Sequence, residues 1–208
     1  MSPGYSSPLR EAQAAETRRR ILEAAASAFG TSGYSGTSLA QIAKDAGVSV
    51  ETVKQHGPKP TLLLAAFGHA FTGTDYEIPL HRQPELDGIR ALADDEFLGG
   101  WLGFVADANS RVARLWPRVL EAALIDPDVG ERVAAVLERR RQDMDSVIAL
   151  LRDRGMCRSG RSDAELAAAV SFLISPESYA QLVLDSGWSR GTYLSWLVSA
   201  VERMILAP

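Results

Sequence analysis

The chain has 208 residues, 46% of them hydrophobic and 23% charged, which excludes an unfolded polar chain and provides a sizeable core for one large or two small domains. Its one cysteine, Cys157, excludes an intramolecular disulfide framework. The formal charge of −4 speaks against a nucleic-acid partner only until the chain is divided: residues 1–60 carry seven Lys/Arg against five Asp/Glu (+2), and the remainder fifteen against twenty-one (−6).

Residues 1–15, MSPGYSSPLREAQAA, hold Pro, Gly and Ser without an apolar run and are expected to form a mobile arm. No signal-peptide apolar region is visible and no segment approaches a membrane span, since LLLAAF at 62–67 is far too short; the expected location is the cytoplasm, with no membrane partner. Thr17 can cap a first helix, whose positive end Arg18, Arg19 and Arg20 would then crowd against the dipole. Phosphate contact would offset that cost, and so would three solvated side chains lying along the helix. Ile21, Leu22, Ala25, Ala28 and Phe29 share one helical face, and Gly33 and Gly36 punctuate its end.

The stretch Leu39–Lys59, LAQIAKDAGVSVETVKQHGPK, has the pattern of a helix-turn-helix. Ile42, Ala43 and Ala46 give a short helix one apolar face, and Gly47 stops it, because glycine enters the left-handed region at little steric cost. Ser49 then caps a second helix with Thr52 at its third position, and Val48 and Val53 pack it back on the small Ala43. Val50, Glu51, Lys54 and Gln55 point outward: Gln55 can pair with adenine, Glu51 can accept from cytosine and Val50 can touch a thymine methyl. Thr37 and Ser38 stand where the preceding helix starts, so a hydroxyl caps it and its free amides can meet a phosphate. Gly57-Pro58 breaks the chain and Pro60 suits the first turn of a further helix. Lys59, at that helix start and against its dipole, makes better sense for phosphate than for stability. Arg19, Thr37, Ser38, Ser49, Val50, Glu51, Thr52, Lys54, Gln55 and Lys59 are thus the candidate DNA contacts.

From Leu62 to about Asp75 a helix with a broad apolar face connects head to body, followed by a loop from Ile78-Pro79 to Pro84. His69 and His81 lack metal-ligand spacing, so no metal and no cofactor is expected. The body reads as helical throughout. Gly99, Gly100 and Gly103 weaken one segment or allow close packing, Pro117 is a candidate kink in the next, and Asp126-Pro127 starts a long helix closing near Gly155, with Arg139–Arg141 expected on a solvated face. Ser162 to Glu165 resembles a capping box, Pro176 interrupts the helix that follows, and Ser189–Leu206 closes the chain. Phe97, Trp101, Phe104, Trp116, Met144, Phe172 and Tyr179 are candidates to line a small-molecule pocket, or are plain core.

Arg18 to about Phe71 closely resembles the DNA-binding domain of TetR-type transcriptional repressors. The resemblance rests on the basic run Arg18–Arg20, the Phe29 to Gly33-Tyr34 break, Thr37-Ser38, Ile42-Ala43, Ala46-Gly47-Val48-Ser49, Thr52-Val53, and Lys59 before Leu62-Leu63. Thr52–Lys59 departs from the family pattern by being one residue short: the tyrosine that typically contacts phosphate has no counterpart, His56 stands about where a phenylalanine would be, and Lys54 is left as the replacement. SPESYAQLVLDSGWSRGTYLSWL, 175–197, resembles the C-terminal ends of some TetR-type proteins, whose last two helices pair with their symmetry mates in a four-helix bundle.

The resemblance implies an all-α fold of about nine helices: a helix-turn-helix domain over residues 16–60 and a ligand-binding and dimerisation domain over 61–208. It further implies a homodimer, a palindromic operator in double-stranded DNA with half-sites roughly 34 to 36 Å apart, and release by a small-molecule inducer, with aromatic lining favouring an apolar, uncharged or weakly cationic one. Two other readings stay open. A shortened recognition helix would suit a dimeric ligand-binding or interaction module that has lost DNA binding. An all-helical enzyme is the other, although no phosphate loop, paired Glu-x-x-His helices or nucleophile-base arrangement stands out.

Overall fold

The computed structural model describes residues 8–73, 80–83 and 86–207. Met1–Ser7 of the expected arm, the loop around Ile78-Pro79, Pro84 and the His81 side chain lie outside them. The described residues form helices joined by short turns, without a strand.

α1 spans Pro8–Gly36, so it starts well before Thr17, which stands inside the helix and caps nothing. Residues 8–15, expected in a mobile arm, are its first turns, and Arg18–Arg20 therefore lie mid-helix rather than at a positive end. Gly33, with φ 71° and ψ 177°, interrupts the helix and turns Tyr34 toward the body. α2, Leu39–Ala46, ends on Gly47 at φ 65°, ψ 39°, whose N–H reaches back to the carbonyls of Ala43 and Lys44. α3 is only Val50–Gln55. α4, Lys59–Thr72, starts with Pro60 in its first turn and ends on the left-handed Gly73.

The body holds α5 (Asp87–Arg90), α6 (Asp94–Val112), α7 (Trp116–Ile125), α8 (Pro127–Asp153), α9 (Asp163–Leu173), α10 (Pro176–Tyr179) continuing as a π-helical segment over Ala180–Asp185, and α11 (Arg190–Val201) ending in a π-helical segment, Glu202–Leu206. The single-turn α5 and α10 take the count past the nine expected. Pro117 kinks nothing: its missing N–H is tolerated in the first turn of α7, so the chain starts a new helix at Trp116 instead of bending an old one. In α6 the bare Gly100 lets Leu92 approach to within 2.4 Å of where a Cβ would stand. Ser162 and Glu165 form a reciprocal capping box. The stretch Asp163–Asp185 is, against expectation, long and apolar enough by composition to cross a membrane (mean hydropathy 1.2); 44% of its apolar window is buried inside the protein, and Ser175-Pro176 divides it.

The core divides in two, and not at the expected domain boundary. One cluster joins Ile21, Leu22, Phe29, Ile42, Val53, Leu62 and Leu63 of the head to Trp116, Val119, Val129 and Val133 of the body. The other gathers Phe97, Leu102, Ile148, Leu151, Leu166, Tyr193 and Leu197 from α6, the far half of α8, α9 and α11. Because α4 and α7 both pack along α1, the head is built onto the body's first layer. Arg111 of α6 reinforces this by donating through Nε to the Ala70 carbonyl and through Nη2 to that of Phe71, both at 2.7 Å, at the C-terminal end of α4.

Candidate DNA-binding surface and body cavity

The head presents α3 to solvent on the side away from Val53, which is fully buried. Ser49 Oγ accepts the Thr52 N–H at 3.0 Å and lies 2.8 Å from the Thr52 hydroxyl, so both side chains serve the start of the helix. Val50, Glu51, Lys54 and Gln55 are exposed on one surface, with Lys54 Nζ 3.7 Å from the Glu51 carboxylate, an exposed pair that contributes little to stability. Ser38 Oγ accepts the Gln41 N–H at 3.1 Å and caps α2.

Three candidates sit differently from the expectation. Thr37 is buried and its hydroxyl donates to the Gly33 carbonyl at 2.8 Å, so it closes the α1 break rather than facing a phosphate. Arg19 is held between Glu16 and Glu23, at 2.6 and 2.7 Å, which neutralise it locally. Lys59 lies with Nζ 4.4 Å from the centroid of the Tyr34 ring, a cation–π contact. Partial burial lowers its pKa, opposed by the nearby Asp126 charge. Tyr34 in turn donates to Asp126 at 2.5 Å; burial and that carboxylate together push the phenol pKa up. His56 is tied to α1, with Arg18 Nη1 3.4 Å from its Nδ1.

Behind the head lies a cavity of about 120 Å³ between α4, α6, α7 and α8, closed on one side by Ile174 and Pro176. Phe97, Trp101, Phe104, Trp116 and Met144 line it. Phe172 does not: it is 74% exposed, because α9 turns Leu166, Ala167, Val170 and Leu173 inward and the residue before Leu173 falls about 100° away. Tyr179 is buried elsewhere, edge-on to Tyr193 at 5.1 Å. Leu137 of α8 stands partly exposed in the cavity wall.

Other lining residues were not singled out in the sequence. Phe67 and Phe71 come from α4, and Phe67 packs on Trp116 at 5.0 Å; their i, i+4 spacing was the available signal. Arg90, Asn109, Arg140 and Asp143 also reach the wall. Arg140, expected on a solvated face, turns inward and donates to the Ser171 carbonyl. Nothing in local sequence distinguishes these polar residues from surface ones.

With this geometry in hand, comparison with known proteins gives a direct result: residues 21–56 match the model of the bacterial regulatory proteins of the tetR family. The chain carries the head of a TetR-type transcriptional regulator. The matched segment runs from the core of α1 through α2 and α3 to His56. No curated protein matches the chain. Among solved structures, a protein from Rhodococcus sp. described as a TetR-family transcriptional regulator superposes with TM-score 0.72 at 18% identity, covering 92% of this chain and 99% of that one. A transcriptional regulator from Saccharomonospora viridis, in complex with choline, gives 0.67 at 23% identity over 93% and 99%. NalD from Pseudomonas aeruginosa, the secondary repressor of the MexAB-OprM multidrug efflux pump, gives 0.63 at 20% over 93% and 98%. At these identities the likeness is one of fold, and it extends over the body of this chain as well as its head.

Proposed function

We propose that the chain is a cytoplasmic homodimeric repressor that holds a palindromic operator through its two α2–α3 heads and releases it when a small molecule enters the body cavity. The observation that carries this reading is the course of α4. Its first residue, Lys59, stands in the head over Tyr34, and two turns on its Phe67 and Phe71 form part of the cavity wall. A molecule that displaces those rings acts directly on the helix that positions the head. To move an operator from nearly full to nearly empty, it must favour the released conformer by about 5.5 kcal/mol.

Exposed Phe172, Leu184 and Met204 on the last helices support the dimer, since apolar side chains this large gain by burial against a symmetry mate. The choline complex and the repressor among the structural neighbours support a ligand-responsive repressor by likeness of fold. On the head, Ser38, Ser49, Val50, Glu51, Thr52, Lys54, Gln55 and Lys59 are the proposed contacts, with α3 in the major groove.

The test is selection of binding sites from a randomised duplex pool with the purified protein, at about 50 mM and about 200 mM salt. The expected result is an enriched palindrome with half-sites about one helical turn apart. No enrichment at either salt would overturn the reading and point to the six-residue α3 as a reading head that has lost specificity.

A further inference from the structure

One buried polar atom of a cavity-lining residue has no partner among the described residues. Asn109 of α6 is completely buried, and its Nδ2 donates to the carbonyls of Ile174 at 2.9 Å and Ser175 at 3.4 Å. Two carbonyl acceptors fix that end of the amide as nitrogen, so the other end is oxygen. Among the described residues Asn109 Oδ1 has no hydrogen-bond partner; the Tyr193 hydroxyl lies beside the same amide, and Asn109 is one of the residues lining the cavity. A buried acceptor left unpaired is costly, and a ligand that supplies a donor recovers that cost as affinity.

The charged residues of the wall are already engaged. Arg90 donates to the carbonyls of Leu80 and Gln83 and pairs with Asp87; Arg140 donates to the Ser171 carbonyl, and Asp143 is partnered as well. Much of the remaining wall is aromatic, with Phe97, Trp101, Phe104 and Trp116 among its residues. A ligand carrying a charge would have to break those pairs, whereas a neutral one need not.

Resting on the reading of this cavity as the effector site, we propose that it takes a neutral, apolar or aromatic molecule bearing a hydroxyl or N–H donor, and that Asn109 Oδ1 accepts that hydrogen bond. The acceptor selects among apolar molecules by rewarding the donor; the aromatic wall supplies the bulk of the contact.

The experiment is titration calorimetry of the full chain with three probes of nearly equal size: 2-naphthol, 2-methoxynaphthalene and naphthalene. The expected result is that 2-naphthol binds about tenfold more tightly than either probe lacking a donor, and that Asn109→Leu reduces the preference to about twofold or less while all three still bind. Equal affinities in the natural protein would overturn the proposal while leaving the cavity as a ligand site. A preference that survives Asn109→Leu would also overturn it, since the donor would then meet another group. Binding of none of the three would overturn the effector-site reading itself and this proposal with it. Should Asn109→Leu fail to fold for want of its bonds to Ile174 and Ser175, the three affinities of the natural protein decide alone.

Discussion

Tyr34 donates its hydroxyl to the Asp126 carboxylate at 2.5 Å, across 92 residues of sequence. Tyr34 follows the glycine break in α1, and Asp126 caps the N-terminus of α8 by accepting the Asp128 N–H at 3.0 Å. Lys59 lies over the same ring, so the end of the first head helix, the start of α4 and the start of the longest body helix meet at one side chain. Head and body are tied together at this side chain.

The junction has a pH signature. The Tyr34 hydroxyl, first among the causes, holds the Asp126 carboxyl below the ordinary range, with the backbone N–H groups of Val129 and Asp128 and the Lys59 charge adding to it. A carboxyl whose folded pKa is depressed contributes stability that is fully present above its unfolded value, about 3.9, and is lost as pH falls through the folded value. Melting temperature measured between about pH 5 and pH 2 should therefore fall less steeply in Tyr34→Phe than in the natural protein. Equal slopes would place the acid sensitivity elsewhere.

Lys59 and Arg19 should separate in DNA binding. Lys59→Ala should weaken operator affinity and reduce the slope of log affinity against log salt by about one, because its charge lies over the Tyr34 ring with Asp126 nearby, rather than clasped between two carboxylates. Arg19→Ala should leave the slope within error, because Glu16 and Glu23 already neutralise that guanidinium. Fluorescence anisotropy over a salt series reads both, and a larger slope change for Arg19 would reverse the assignment.

Ala43 is 2% exposed, where α2 crosses the rest of the head. Ala43→Leu inserts three carbons into a packed crossing and should destabilise the head by about 1–3 kcal/mol, abolishing operator binding. Circular dichroism should show the remaining helices retained; unchanged DNA binding would mean that the crossing has room.

Ser49→Ala removes the cap of a six-residue helix and should cost about 1 kcal/mol, enough to loosen α3 and lower operator affinity severalfold. Ser49→Asp, which also caps, should restore the stability of the head but not its affinity, since it brings a negative charge toward phosphate. Thermal melts and anisotropy on the two variants distinguish the capping role from a direct contact.

The helix-turn-helix was legible because everything that makes it is local: Ile42, Ala43 and Ala46 at helical spacing, Gly47 in the left-handed region, Ser38 and Ser49 as caps. The same holds for the Ser162–Glu165 capping box and for Pro60 in a first turn. Periodicity also marked Phe97, Trp101, Phe104, Trp116 and Met144 as inward-facing, and placed Phe172 inward in error, because one residue along a short apolar helix changes the face it occupies. Tertiary structure decided what depends on distant partners. Thr37 became a buried donor to Gly33, and Arg19 a residue between two glutamates. The core closed across the expected boundary at residue 60, because α4 and α7 both lie on α1. Asn109 shows the limit most plainly: an asparagine among apolar residues reads alike on a surface or in a core, and only the approach of Ile174 and Ser175, 65 and 66 residues away, fixes its nitrogen and leaves its oxygen without a partner among the described residues.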